Sequence, residues 1–121
     1  MRRGFNRPDR VADSIQRSLA RILLQEMHDA RFRLVTITSV VVSKDLSYAK
    51  IYVSVLLEEK EKIKTVIHAL NRATSKIRYH IAREVDLRIV PELKFVYDES
   101  TEHGRTISNL IDAAIKKSNP E

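Results

Sequence analysis

Apolar positions at three- and four-residue spacing open the chain. Val11, Ile15, Leu19, Ile22 and Leu23 share one stripe, and Pro8 suits a first turn, so a helix is expected to about Met27. Period two then takes over. Leu34–Ser43 is rich in Val, Ile and Thr, with an ambiguous register in which Val40 and Val42 are the preferred inward residues. Tyr48–Leu56 alternates cleanly, with Ala49, Ile51, Val53 and Val55 on one side and Lys50, Tyr52 and Ser54 on the other. Lys44-Asp45-Leu46 joins the two as a short hairpin, with Asp45 as its turn residue. The charge run Glu58–Lys62 reads as a solvated first turn before Ile63, Val66, Ile67 and Leu70 mark a second helix.

The joint Arg72-Ala73-Thr74-Ser75-Lys76 ends that helix and starts another, because Thr and Ser cap helices better than they fill them. Ile77, Ile81 and Val85 are expected to face inward from it. Leu87, Ile89, Leu93, Phe95 and Tyr97 then alternate through Leu87–Ser100, interrupted by Pro91. Proline cannot donate to a ladder, which places this strand at a sheet edge or a bulge. A last amphipathic helix carries Ile107, Leu110, Ile111, Ala114 and Ile115, with Gly104 near its start. The order α-β-β-α-α-β-α describes one α+β domain over 1–116, a three-stranded mixed sheet with helices on one face. Residues 117–121 are expected to be a disordered tail.

Composition narrows the chemistry. The 121 residues carry a formal charge of +6, which favours polyanions, meaning nucleic acid or an anionic membrane. Cysteine is absent, which removes disulfides and thiol chemistry together. No apolar run reaches the roughly 18 residues of a membrane span, and no secretory signal is visible, so a cytoplasmic protein is expected. A membrane-surface role for the first helix competes poorly: its apolar face lacks Trp and Phe, and the strands need a cover.

Enzyme sites are sparse. Only Gly4 and Gly104 exist, too few for a phosphate-cradling loop. His28, His68, His80 and His103 lack metal-ligand spacing and read as surface or satisfied residues. Glu26 falls among the apolar positions of the first helix, where a frayed end or a neighbouring base accounts for it. Asp98-Glu99 reads as a cap for the next helix. Neither an enzyme nor a metal or cofactor site is expected.

The basic residues are better organised. The first 33 residues hold eight arginines against four acids, and Arg72 to Arg83 holds four basic residues and no acid. Arg10, Arg17 and Arg21 share a stripe on the first helix; Lys76, Tyr79 and Arg83 share the outer face of the third. Such cations neutralise phosphates, and an interleaved aromatic can stack on a base. Arg7, Arg10, Arg17, Arg21, Lys44, Arg72, Lys76, Arg78, Tyr79 and Arg83 are the candidate nucleic-acid contacts. A solvated helix face is the ordinary reading for any one of them alone.

Phe5-Asn6-Arg7-Pro8-Asp9-Arg10-Val11-Ala12, the hairpin Ser43–Val53, and Leu87-Arg88-Ile89-Val90-Pro91-Glu92-Leu93 with Phe95, Tyr97, Asp98 and Ser100 resemble the bacterial ribosome-binding factor A family. Gly104, Ile107, Leu110 and Ile111 fit its last-helix pattern. The resemblance implies a type II KH-like fold and a non-enzymatic role in late assembly of the small ribosomal subunit. Expected partners are 16S rRNA and its precursor and the free 30S subunit, bound by a monomer, with support for precursor end processing and for growth in the cold. The family's helix joint reads Ala-x-Gly; here Ala73-Thr74-Ser75 keeps the alanine and replaces the glycine, with Ser75 expected to cap. A resident ribosomal protein and an RNA hydrolase are the competing readings.

Overall fold

The computed structural model describes residues 6–100. Helix α1 spans Arg7–Gln25, and its start is closed by a capping box: Asp9 N–H donates to Asn6 Oδ1 at 3.0 Å and Asn6 N–H to Asp9 Oδ2 at 3.4 Å. Its apolar stripe is buried through Val11, Ile15, Leu19, Ile22 and Leu23. A short 3₁₀ turn, Ala30–Leu34, leads into strand β1, Val35–Val42. Strand β2 is Tyr48–Val55. The hairpin turns on Asp45, which accepts from Ser43 Oγ, Ser47 Oγ and Ser47 N–H. Those bonds hold Leu46 in the left-handed region at φ 63°, a conformation that disfavours a branched side chain.

Helices α2, Lys60–Arg72, and α3, Thr74–Glu84, precede strand β3, Glu92–Tyr97. The sheet order is β1-β2-β3, antiparallel then parallel, so among the described strands β3 lies at an edge, one of the two placements expected for it. Ala49, Ile51, Val53 and Val55 all point into the core, with α1 packed on β1 and α2 and α3 on β3. In β1 the pairing slips between Ile37 and Ser39, leaving Thr38 as an extra residue. That irregularity explains the ambiguous pattern: Val42 is buried and Val40 packs against the core, but Val35 and Ile37 do so in the opposite phase.

β3 begins later than the alternation suggested. The first ladder bond comes from Glu92 N–H to Ser47 O at 3.0 Å, immediately after the buried Pro91. Leu87–Val90 form no strand; Leu87 and Val90 pack partly on the core while Ile89 stands 71% exposed. The far edge of β3 is covered by a side chain: Asn71 donates Nδ2 to Phe95 O at 2.9 Å and accepts Phe95 N–H at 2.8 Å. Asp98 accepts from Ser100 N–H and Oγ, as a helix cap does. The expected last helix, Gly104, the 1–116 boundary and the tail lie outside the described residues.

Candidate nucleic-acid interface

The helix joint compresses to one residue. Ala73, at φ −98° and ψ 8°, shares its N–H between Ala69 O and Leu70 O, and its carbonyl accepts Ile77 N–H at 3.0 Å. No left-handed residue is needed, so serine is compatible where the family has glycine. The capping expectation is corrected: Ala73 is the N-cap, and no side chain caps α3. Thr74 and Ser75 already lie inside its first turn; Thr74 Oγ1 donates back to Asn71 O at 3.3 Å and Ser75 is exposed.

An open cleft of about 610 Å³ adjoins the joint. Met27, Phe32, Ala69 and Ala73 form its apolar lining, and His28, Arg31, His68, Arg72 and Lys76 its basic rim. Its one carboxylate, Asp29, is already committed: Arg31 donates to it from Nε at 2.9 Å and Nη2 at 2.6 Å. The Arg31 side chain therefore holds the Asp29 carboxyl below its usual range. Arg72 and Lys76 are exposed and make no ion pair or hydrogen bond through their side chains among the described residues. Two free cations thus face an apolar floor, an arrangement suited to phosphate above and a ribose or base face below.

The remaining candidates divide by what already occupies them. Arg21 pairs with Glu84 and Glu26, and Ser18, buried in α1, donates to Glu84 Oε1 at 2.8 Å. This clasp ties α1 to α3 and supplies the base that accounts for Glu26, with His80 Nδ1 3.9 Å from the same carboxylate. Arg17 pairs with Asp13 along α1. Arg78 turns inward, donating to Pro91 O at 3.0 Å and Val90 O at 2.8 Å. Arg83 donates to Tyr79 Oη at 3.0 Å and lies 5.6 Å from its ring centroid, so one face of that ring is occupied. Lys44 is exposed in the hairpin, and Arg7 and Arg10 at the start of α1. Helical rise separates Arg10 from the cleft by roughly 25 Å.

The structure therefore unites Arg72, Ala73 and Lys76, and adds Arg31, His28 and His68. His28 and Arg31 carry no sequence signal because only the path of the chain after α1 returns Met27–Phe32 to the helix joint; His68, four residues before Arg72 on α2, shares the cleft side of that helix.

The ribosome-binding factor A family profile matches residues 7–111. The chain belongs to the ribosome-binding factor A family. A ribosome-binding factor A from Saccharophagus degradans is 46% identical over 95% of this chain and 91% of its own. The crystal structure of the family member from Thermus thermophilus superposes with TM-score 0.65 at 31% identity, covering 74% of this chain and 93% of that one. Thermus thermophilus ribosome-binding factor A coordinates fitted into an electron cryomicroscopy map of a 30S complex match with TM-score 0.59, 32% identity, and coverage of 73% and 91%. Ribosome-binding factor A is thus a family of binding proteins, and the α+β architecture read from this sequence is theirs.

Proposed function

We propose that this chain is a non-enzymatic assembly factor that docks on the free 30S small subunit in the cytoplasm and grips 16S rRNA and its precursor through the helix-joint cleft. The observation that carries this reading is the pair of uncommitted cations, Arg72 and Lys76, beside an apolar floor whose single carboxylate is neutralised by Arg31. The domain is KH-like of type II, with a one-residue Ala73 joint in place of a glycine-rich clamp, and it acts as a monomer. Grip by side-chain cations reads the shape and phosphate path of folded rRNA and transfers no group. The protein thereby supports late maturation, including processing of the precursor's ends and growth in the cold.

Charge reversal at Arg72 and Lys76 tests the reading. Full-length Arg72→Glu/Lys76→Glu, with circular dichroism unchanged, is expected to bind 30S subunits more weakly than wild type across a salt series. Each phosphate left without its cation flattens the log–log salt slope by about 0.7–0.9. An unchanged affinity and slope would remove the cleft from the interface.

A further inference from the structure

We propose that the outer edge of β1 is a protein-docking surface, where an extended, uncharged polypeptide segment pairs with Val35 and Ile37 and sets an aliphatic side chain in the groove between β1 and α1. This inference goes beyond the reading of the chain as an RNA binder and uses none of the cleft residues.

Pairing with β2 fixes which backbone groups are left over. Leu56 N–H donates to Leu34 O at 2.8 Å and Ser43 N–H to Tyr48 O at 2.9 Å. Alternation from those two points, with the slip at Thr38, turns Thr36, Ser39 and Val41 toward β2. Val35, Ile37, Val40 and Val42 therefore turn their backbone the other way, where no described strand lies. Among the described residues these groups receive one side-chain bond, from Gln16 Nε2 to Ile37 O at a long 3.4 Å. Sheet edges are ordinarily blunted by charge or proline, and Val35–Val42 contains neither. Its one interruption is the bulge at Thr38, which confines an added strand to the short run Val35–Ile37.

A groove of about 550 Å³ lies beside that run. Ala20, Leu23 and Leu24 on α1 and Val35 and Ile37 on β1 form its apolar wall, and Leu24 is 55% exposed there. The groove's two charged residues, Asp13 and Arg17, pair with each other. This combination selects the occupant. Alternating N–H and C=O groups along an edge are matched by another extended polypeptide backbone, whose alternate side chains enter the groove. A neutral groove offers a polyanion no spare cation, in contrast to the helix joint, so RNA is not the ligand here. The chain's own segment after Ser100 carries Ile107, Leu110, Ile111, Ala114 and Ile115 at helical spacing, the wrong period for a strand. A separate protein segment with an aliphatic anchor fits both edge and groove.

The test uses the full chain and a capped heptapeptide, Ser-Thr-Leu-Thr-Val-Thr-Ser, followed by amide NMR. In the free protein the Val35 and Ile37 amides are expected to be less protected from exchange than those of Ser39 and Val41, which face β2. The peptide is expected to shift the Val35 and Ile37 amides and to raise their protection. N-methylation at alternate peptide amides, made in both phases, is expected to abolish binding in one phase only, because one set faces β1. Leu24→Ala is expected to weaken binding about three- to ten-fold with thermal unfolding unchanged, and Ala20→Arg, which fills the groove, to abolish it. Arg72→Glu/Lys76→Glu is expected to bind the peptide as wild type does, so failure of the cleft reading leaves this one standing. Val35 and Ile37 amides unmoved by millimolar peptide, equal binding of the two N-methylated forms, or the same shifts with oligouridine would overturn the proposal. Edge amides already protected in the free chain would overturn it too, assigning the edge to a second copy if protection falls on dilution and to the chain's own ends if it does not.

Discussion

The clasp between α1 and α3 and the cleft at the helix joint use the same residue types for opposite ends. Arg21 is surrounded by Glu84, Glu26 and Gln25 and spends its donors inside the molecule. Arg72 and Lys76 meet no acceptor among the described residues, and the carboxylate nearest them on the cleft wall is held by Arg31. Both sets sit on helix faces that look equally basic in the sequence. A cation's role here is decided by where carboxylates from other elements arrive: Glu84 reaches Arg21 across 63 residues of chain. Charge left over after such pairing is what a polyanion can use.

Breaking the clasp gives the largest expected change in stability. Glu84→Ala leaves the buried Ser18 hydroxyl without its acceptor and Arg21 without its nearest partner, at a cost of about 1–3 kcal/mol in chemical denaturation. Subunit binding per folded molecule is expected to stay as in wild type. If Glu84→Ala left stability unchanged and weakened binding, the clasp would belong to the interface.

Neutralising the cleft should produce the mirror image. Arg72→Ala/Lys76→Ala removes exposed, unpaired side chains, so stability is expected within about 0.5 kcal/mol of wild type. The salt slope for 30S binding should fall by a combined 1.4–1.8 or so, the two cations adding. A large loss of stability with an unchanged slope would make these residues structural.

The smallest effect lies in the hairpin, away from both clusters. Bonds from Ser43 Oγ, then Ser47 Oγ and Ser47 N–H, hold the Asp45 carboxyl below its usual range. The unfolded chain takes up that proton at higher pH than the folded one. The hairpin's contribution is therefore full above the ordinary carboxylate pKa of about 4 and is lost as pH falls through the depressed value. The protection of the Ser47 amide, its exchange measured against the intrinsic rate at each pH, should fall over that acid window, and Asp45→Asn should abolish that fall. Protection unchanged across that window in the wild type would show that the turn holds without the carboxylate.

Much of the fold was legible because local pattern and tertiary role agree. Pro8 in the first turn of α1, the alternation of Tyr48–Val55 and the Asp45 turn are each written in a few adjacent residues. The register of β1 was not, since Thr38 is inserted where the period should continue. The start of β3 was misplaced because alternation runs on through Leu87 and Ile89, although Pro91 withholds the ladder bond and Arg78 takes the carbonyls of Val90 and Pro91. The cleft was half visible. Arg72 and Lys76 belong to a local acid-free stretch, and His68 stands one helical turn before Arg72 on α2, whereas His28 and Arg31 reach the cleft only through the path of the chain after α1. Asn71, which pairs both backbone groups of Phe95, carried no local signal at all.

The absence of native cysteine makes a direct test of the cleft simple. A hydroxyl-radical source tethered at Ser75→Cys, beside Lys76, is expected to cut 16S rRNA in the free 30S complex. The same probe at Ala20→Cys, on the exposed side of α1, is expected to leave the RNA largely intact. Strong cutting from position 20 with none from position 75 would contradict the account.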